Sequence, residues 1–163
     1  MPVTSLGTWR HLALRFFSVV LARGLKPREI DEIGTWLSPG EREAFFAQPP
    51  FDQRHGLESA QYLAGLHPRR RDLIRAGLLH DIGKRHSHLG PLGRSLASAH
   101  AKLGGRARGK WLSYLEHGSV AGAELEALGA EPIVVDFALH HHGGRPASIP
   151  EPDWDLLQAA DRM

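Results

Sequence analysis

The feature that most restricts the fold of this chain is a set of histidines and aspartates within the apolar stripes of its predicted helices. Residues three or four positions apart share one face of a helix, and an apolar stripe marks the buried face. On five predicted helices that stripe also contains an imidazole or a carboxylate. The six residues are His55, His80, Asp81, His117, His141 and Asp161. The interior of the fold must therefore supply partners for these groups.

A shared metal ion is the simplest partner for so many buried titratable groups. Without partners, each would be costly to remove from water. A bound cation keeps carboxylates ionised and imidazoles neutral. The chain contains no cysteine, so the ligands must be nitrogen and oxygen atoms, and a cysteine–zinc site or a thiol nucleophile is excluded. The pattern predicts a metal centre formed by all six residues.

The run of three histidines at 140–142 leaves one ligand open. Successive residues on a helix are about 100° apart, so at most one or two of the three can face one site. The apolar stripe through Val134 and Phe137 favours His141. His140 is the alternative ligand, and His142 is assigned to the end of the helix.

The periodicity predicts an all-α fold, because apolar residues recur at helical spacing and no segment alternates with a period of two. Ser38, Pro39 and Glu41 form an N-terminal capping pattern, and Asp52 is expected to cap the helix that carries His55. Gly83 is expected to end a helix. The predicted helices cover residues 5–23, 28–37, 39–47, 52–66, 69–82, 111–129, 131–142 and 153–162.

The segment from Lys84 to Lys110 is rich in glycine, serine, arginine and histidine. We predict a loop with one short helix near residues 94–103. A long irregular segment inside a small domain is often a lid or a binding loop.

Composition limits the classes of partner. The 163 residues fit one domain, and the net charge of +2 predicts no strong nucleic-acid or membrane field. The apolar stretch at 12–22 contains Arg15 and is too short to span a bilayer. We therefore expect a cytoplasmic protein without a membrane partner and do not expect nucleic acid to be its substrate. The oligomeric state stays open.

Three local sequences carry a family resemblance. They are "AGLLHDIGK" at 76–84, "YLEHGSVAGAELEALG" at 114–129 and "LLQAADRM" at 156–163. Together with the order of the six residues named above, they resemble the HD superfamily of metal-dependent phosphohydrolases over residues 50–163. The resemblance implies a compact HD-domain bundle of about seven or eight helices. Residues 1–49 would then form N-terminal helices packed on its core.

The resemblance also implies a ligand arrangement. The first metal would be bound by His55, His80, Asp81 and Asp161. Asp81 would bridge to a second metal, if one is bound, held by His117 and His141. One or two divalent ions are expected, with manganese or iron favoured, then magnesium, and with cobalt, nickel and zinc open. The expected reaction is attack of metal-activated water on phosphorus in a phosphomonoester or phosphodiester.

The remaining site residues and the substrate are less restricted. Asp81 and Lys84 are the expected catalytic residues, and Lys84, Arg145 and Arg94 are candidates for binding the phosphate. The expected substrate is a small phosphorylated molecule of nucleotide type. Nucleoside monophosphates, dinucleoside polyphosphates and cyclic dinucleotides stay open. Two other functions also remain: a di-iron oxygenase of the same fold and a non-catalytic regulatory module that binds metal or nucleotide.

Overall fold

The computed structural model describes residues 24–163, and the predicted helix at 5–23 lies outside them. The described residues form nine α-helices and one 3-10 helix and contain no strand, which confirms the predicted all-α class. In chain order they are α1 (Pro27–Trp36), α2 (Pro39–Phe46), α3 (Pro50–Leu66), α4 (Arg71–Leu79), the 3-10 helix (Ile82–Ser87), α5 (Pro91–Lys102), α6 (Lys110–Leu115), α7 (His117–Ala127), α8 (Pro132–His140) and α9 (Glu151–Asp161).

Helix starts follow local sequence signals. The side chain of Ser38 accepts a hydrogen bond from the Glu41 backbone N–H, and Glu41 accepts one from the Ser38 N–H at 2.9 Å, so the predicted capping box of α2 is confirmed. The expectation for Asp52 is wrong. Helix α3 begins earlier, at Pro50, and the Asp52 carboxylate is paired with Arg94 instead.

The core is organised around α3 and α4. These two helices pack along each other, α8 and α9 pack on α4, and α7 packs on α8. Fully buried apolar side chains from all five helices meet there, including Leu57, Leu79, Leu125, Phe137 and Leu157. Helices α1 and α2 contribute Ile33 and Phe45 to the same cluster. Burial of this apolar surface is the main force that holds the helix ends together.

The chain path after α4 differs from the prediction of one helix over 69–82. Helix α4 ends at Leu79, and a 3-10 helix begins at Ile82. Gly83 does not end a helix but lies inside the 3-10 helix against α7. A Cβ atom on Gly83 would come within 2.1 Å of the His117 carbonyl oxygen. At this point the 3-10 helix lies directly against the start of α7, where only glycine leaves room for the His117 backbone.

Two further predictions are corrected. The helix expected over 111–129 is interrupted at Glu116, which separates α6 from α7. In the segment from Lys84 to Lys110 the short helix expected near 94–103 is confirmed as α5, but with part of the 3-10 helix the segment is mostly helical and is not mainly a loop. Among residues 24–163, no helix has both the length and the apolar character needed to cross a membrane.

Candidate metal centre

The structure brings all six predicted ligands together at one place. His55 lies in the first half of α3, and the other five lie at or next to helix ends. His80 and Asp81 follow α4, His117 begins α7, His141 follows α8, and Asp161 ends α9. Five helices therefore converge on one cluster of imidazoles and carboxylates. His80, Asp81, His117 and His141 are buried, while His55 and Asp161 are partly buried.

The first group of donor atoms comes from His55, His80 and Asp161. The Nε2 atoms of His55 and His80 lie 3.2 Å and 3.0 Å from Asp161 Oδ1. The same two Nε2 atoms lie 3.9 Å and 3.5 Å from Asp81 Oδ2. One donor atom from each of His55, His80 and Asp161 lies within 4.8 Å of the other two, so the three atoms are close enough to bind one ion.

The second group faces the other oxygen of Asp81. The Nε2 atoms of His117 and His141 lie 3.3 Å apart, and they lie 3.3 Å and 3.4 Å from Asp81 Oδ1. Ligand atoms about 2.0–2.2 Å from one cation are roughly 3.0–3.5 Å from each other. The donor spacing in this group therefore suits a metal ion, and the Asp81 carboxylate lies between the two groups.

The orientation of three imidazoles is fixed by the backbone turn that precedes each of them. The Nδ1 atom of His80 lies 2.9 Å from the Gly77 carbonyl oxygen. The same contact, to the carbonyl three residues earlier, occurs for His117 at 2.6 Å and for His141 at 2.8 Å. A carbonyl oxygen can only accept, so Nδ1 carries the proton in the neutral ring and Nε2 offers its lone pair. Such a second hydrogen bond is typical of metal-binding histidines.

Two buried atoms in the cluster lack a hydrogen-bond partner, which tests whether these residues fit a metal. They are His80 Nε2 and Asp81 Oδ1. His80 Nε2 is close to Asp161 Oδ1, but the pair does not have hydrogen-bond geometry. Native proteins leave few buried polar atoms unsatisfied, and a bound ion satisfies such atoms. Both atoms are acceptors with available lone pairs, so the residues fit a divalent cation.

The electrostatics favour ionised carboxylates within the cluster. Burial alone would raise the pKa of Asp81, but the Lys84 ammonium and the adjacent His80 lower it well below its ordinary value. Burial also acts to raise the pKa of Asp161, and its contacts with His55 and His80 lower it overall. Burial lowers the pKa of His117. Ionised carboxylates and a neutral His117 are protonation states that a metal requires. Burial would lower the pKa of His80, but the Asp81 and Asp161 carboxylates raise it overall.

The sequence analysis missed His142 as a member of the cluster. Its donor atom belongs to the group formed by Asp81, His117 and His141. The ring centroid of His142 is 5.0 Å from that of His117 and 4.0 Å from that of His141. The pKa of His142 is lowered, first by burial of its imidazole and then by the neighbouring His141. The residue taken as a whole is nevertheless exposed. His140 belongs to neither group, so of the two alternatives the structure places His141 in the cluster.

The three candidate phosphate-binding cations occupy different surroundings. Lys84 is buried, and its ammonium group contacts Asp81 Oδ2 in the cluster. Arg94 pairs with Asp52 through two hydrogen bonds of 2.7 Å and 2.9 Å. Arg145 is exposed and donates to the Ile149 carbonyl oxygen at 2.9 Å. Only Lys84 directly contacts one of the six clustered residues through its charged group.

Arg94 lies between two aromatic side chains, Phe51 and Tyr114, which neighbour His55 and His117. Its guanidinium lies 4.8 Å from the Phe51 ring centroid and 5.7 Å from that of Tyr114. Phe51 lies one helical turn before His55, and the Tyr114 ring stacks on His117 at 5.7 Å. A cleft of about 670 Å³ lies along this side, lined in part by Phe51, Arg85, His86, His88 and Arg94.

Comparison of the chain with protein-family models found no match. Neither the curated proteins nor the solved structures contained a match either.

Proposed function

We propose that this protein is a metal-dependent phosphohydrolase of the HD type. The observation that carries the proposal is the position of Asp81. Its two carboxylate oxygens face two separate groups of imidazole nitrogens, each with the donor spacing that suits a metal ion. The HDIGK sequence that includes this aspartate supports the same proposal through its resemblance to the HD superfamily.

The proposed ligand roles follow from these contacts. His55, His80 and Asp161 hold one divalent ion, and His117 and His141 hold a second, with Asp81 shared between them. When bound, the ions lower the pKa of water and neutralise charge on phosphate oxygens. Imidazole and carboxylate ligands favour manganese or iron, while magnesium, cobalt, nickel and zinc are also compatible with oxygen and nitrogen donors.

The protein's own residues orient the substrate and balance its charge. Lys84 is the proposed catalytic and phosphate-binding cation because its ammonium group lies against Asp81. A compact ammonium group acts on phosphate as a point charge. The charge of Arg94 is engaged by the buried Asp52, so its proposed contribution is to hold the cleft wall beside His55. Arg145 has an exposed guanidinium and is retained as a secondary candidate for binding phosphate.

The proposed substrate class is a small phosphorylated molecule of nucleotide type. Ligand pockets are typically about 300–1,000 Å³, and the cleft of about 670 Å³ falls within that range. Its aromatic and cationic lining suits a base and a phosphate. Phe51, one helical turn before His55, lines the cleft, whereas none of the six clustered residues and not Lys84 does. The cleft is therefore proposed to hold the part of the substrate that lies away from the reacting phosphate.

The test is a comparison of adjacent histidine variants. Purified protein is analysed for bound metals and then assayed on phosphomonoesters and phosphodiesters with each divalent ion. We expect His141→Gln to lose metal and hydrolysis, while His140→Gln retains both, because only His141 lies in a donor group. Metal binding without hydrolysis of any phosphate ester would favour the regulatory module. Oxygen consumption with bound iron would favour the oxygenase.

A further inference from the structure

Helix α5 exposes its leucines, and its buried residues are Arg94, Ala97 and Ser98. Leu92, Leu96 and the C-cap residue Leu103 are 64%, 51% and 87% exposed. Spacings of four and seven place them on one face of the helix. The opposite face buries Ala97 and Ser98. A surface helix normally directs its apolar face inward, so the exposed leucines of α5 need a different explanation.

Positive charge is concentrated in the same part of the chain. Residues 82–115 contain seven of the twenty lysines and arginines and none of the eighteen aspartates and glutamates. Three of these cations contact carboxylates elsewhere: Lys84, Arg85 and Arg94. The small net charge of the whole chain therefore conceals a strongly basic segment.

Three cations immediately after α5 are exposed. They are Arg106, Arg108 and Lys110, and none of them forms an ion pair with any residue in 24–163. They follow Leu103, the most exposed of the leucines, within seven residues. These exposed residues are close together in the chain, and we call the set the basic leucine face: Leu92, Leu96, Leu103, Arg106, Arg108 and Lys110.

We propose that the basic leucine face docks on an anionic lipid surface. Amphipathic helices bind such surfaces by placing leucines at the acyl boundary while lysines and arginines attract anionic headgroups. A lipid surface of this kind would contact both the exposed leucines and the exposed cations of the face. The proposal does not depend on the proposed phosphohydrolase activity. It departs from the expectation of no membrane partner, which the small net charge of the whole chain had favoured.

Other occupants of this face use only one of its properties. A second copy of the chain would bring two basic segments together, and like charges oppose that association. Nucleic-acid phosphates would bind the cations but leave the leucines without a role. The combination of exposed leucines with cations that pair with no carboxylate among residues 24–163 thus favours a lipid surface of opposite charge.

The test is co-sedimentation of the full chain with large unilamellar vesicles at millimolar lipid. We expect binding to phosphatidylcholine vesicles that contain about 30% phosphatidylserine, no binding to pure phosphatidylcholine, and weaker binding as salt is raised. The doubly substituted Arg106→Ala/Arg108→Ala variant should bind about thirtyfold more weakly. Its matched control is Arg28→Ala/Arg69→Ala, because both arginines are exposed elsewhere, Arg28 on α1 and Arg69 in the turn between α3 and α4.

A second pair of variants tests the leucines. Leu96→Asn should weaken vesicle binding about fivefold, while Leu66→Asn should not, although the two leucines are 51% and 50% exposed. The proposal is overturned if anionic vesicles do not bind. It is also overturned if each variant binds vesicles as strongly as its control does. A Leu96→Asn substitution that reduces self-association and leaves vesicle binding unchanged would overturn it as well. Oligonucleotide binding that is unaffected by Leu96→Asn, without vesicle binding, would assign the face to nucleic acid.

Discussion

Removal of the proposed metal should lower thermal stability by an amount set by two buried atoms. Each of His80 Nε2 and Asp81 Oδ1 lacks a hydrogen-bond partner, and leaving a buried polar atom unsatisfied costs about 1–3 kcal/mol. A cation bound by both atoms would therefore stabilise the fold by roughly 2–6 kcal/mol. In a domain of this size 1 kcal/mol changes Tm by about 2–4 °C, so we expect a metal-dependent increase of roughly 4–24 °C.

The assay is thermal unfolding, followed by circular dichroism, of chelator-treated protein titrated with manganese or iron. Asp81→Asn should abolish the increase, because the variant loses the carboxylate shared by both groups. Asp155→Asn removes an exposed carboxylate on α9 and should retain the increase. The reasoning is refuted if no divalent metal raises Tm at concentrations well above its Kd, or if Asp81→Asn responds like the unmodified protein.

Two further substitutions test a close backbone contact beside the site and an ion pair on α1. Gly83→Ala should destabilise the protein by about 1–3 kcal/mol in urea unfolding, since the added Cβ would meet the His117 backbone. Gly90→Ala is the control, because its Cβ would meet nothing within 4 Å, and it should be tolerated. Equal free energies of unfolding for the two variants would contradict the contact. The hydrogen bonds that Glu29 accepts from the Arg54 side chain and, to a smaller extent, from the Lys26 backbone N–H lower its pKa from 4.5 to about 2. The stability that ionised Glu29 supplies is therefore complete above pH 4.5 and is lost as pH falls through about 2. Glu29→Gln should cost about 1 kcal/mol at neutral pH, with a deficit that shrinks below pH 4.5; a constant deficit would exclude this linkage.

The helical class and the convergence of the six residues could be predicted because both depend on local periodicity. The apolar stripes that identify the buried faces of α4 and α8 also place His80 and His141 toward the interior. The capping box at Ser38 and Glu41 is local as well, since its two hydrogen bonds span only three residues. These signals require no knowledge of the neighbouring helices.

The details that the sequence did not predict depend on distant contacts. The turn after Leu79 depends on Gly83 packing against His117, thirty-four residues later, while the local pattern continues as a helix. Helix α5 has no inward apolar stripe because its buried side is held by the pairing of Arg94 with Asp52. His142 follows the end of α8, where helical periodicity no longer predicts the direction of a side chain.

The hydrogen bonds from Nδ1 to the carbonyl three residues earlier have a consequence for metal exchange. Because each bond joins residues only three apart in the chain, it forms with the local backbone turn and does not require the cation. The rotational freedom of His80, His117 and His141 is thus lost during folding and not during metal uptake. A preorganised site of this kind has a smaller entropic penalty for binding. The apo protein should therefore be able to recover its ion, or accept a different one, without reorienting these rings.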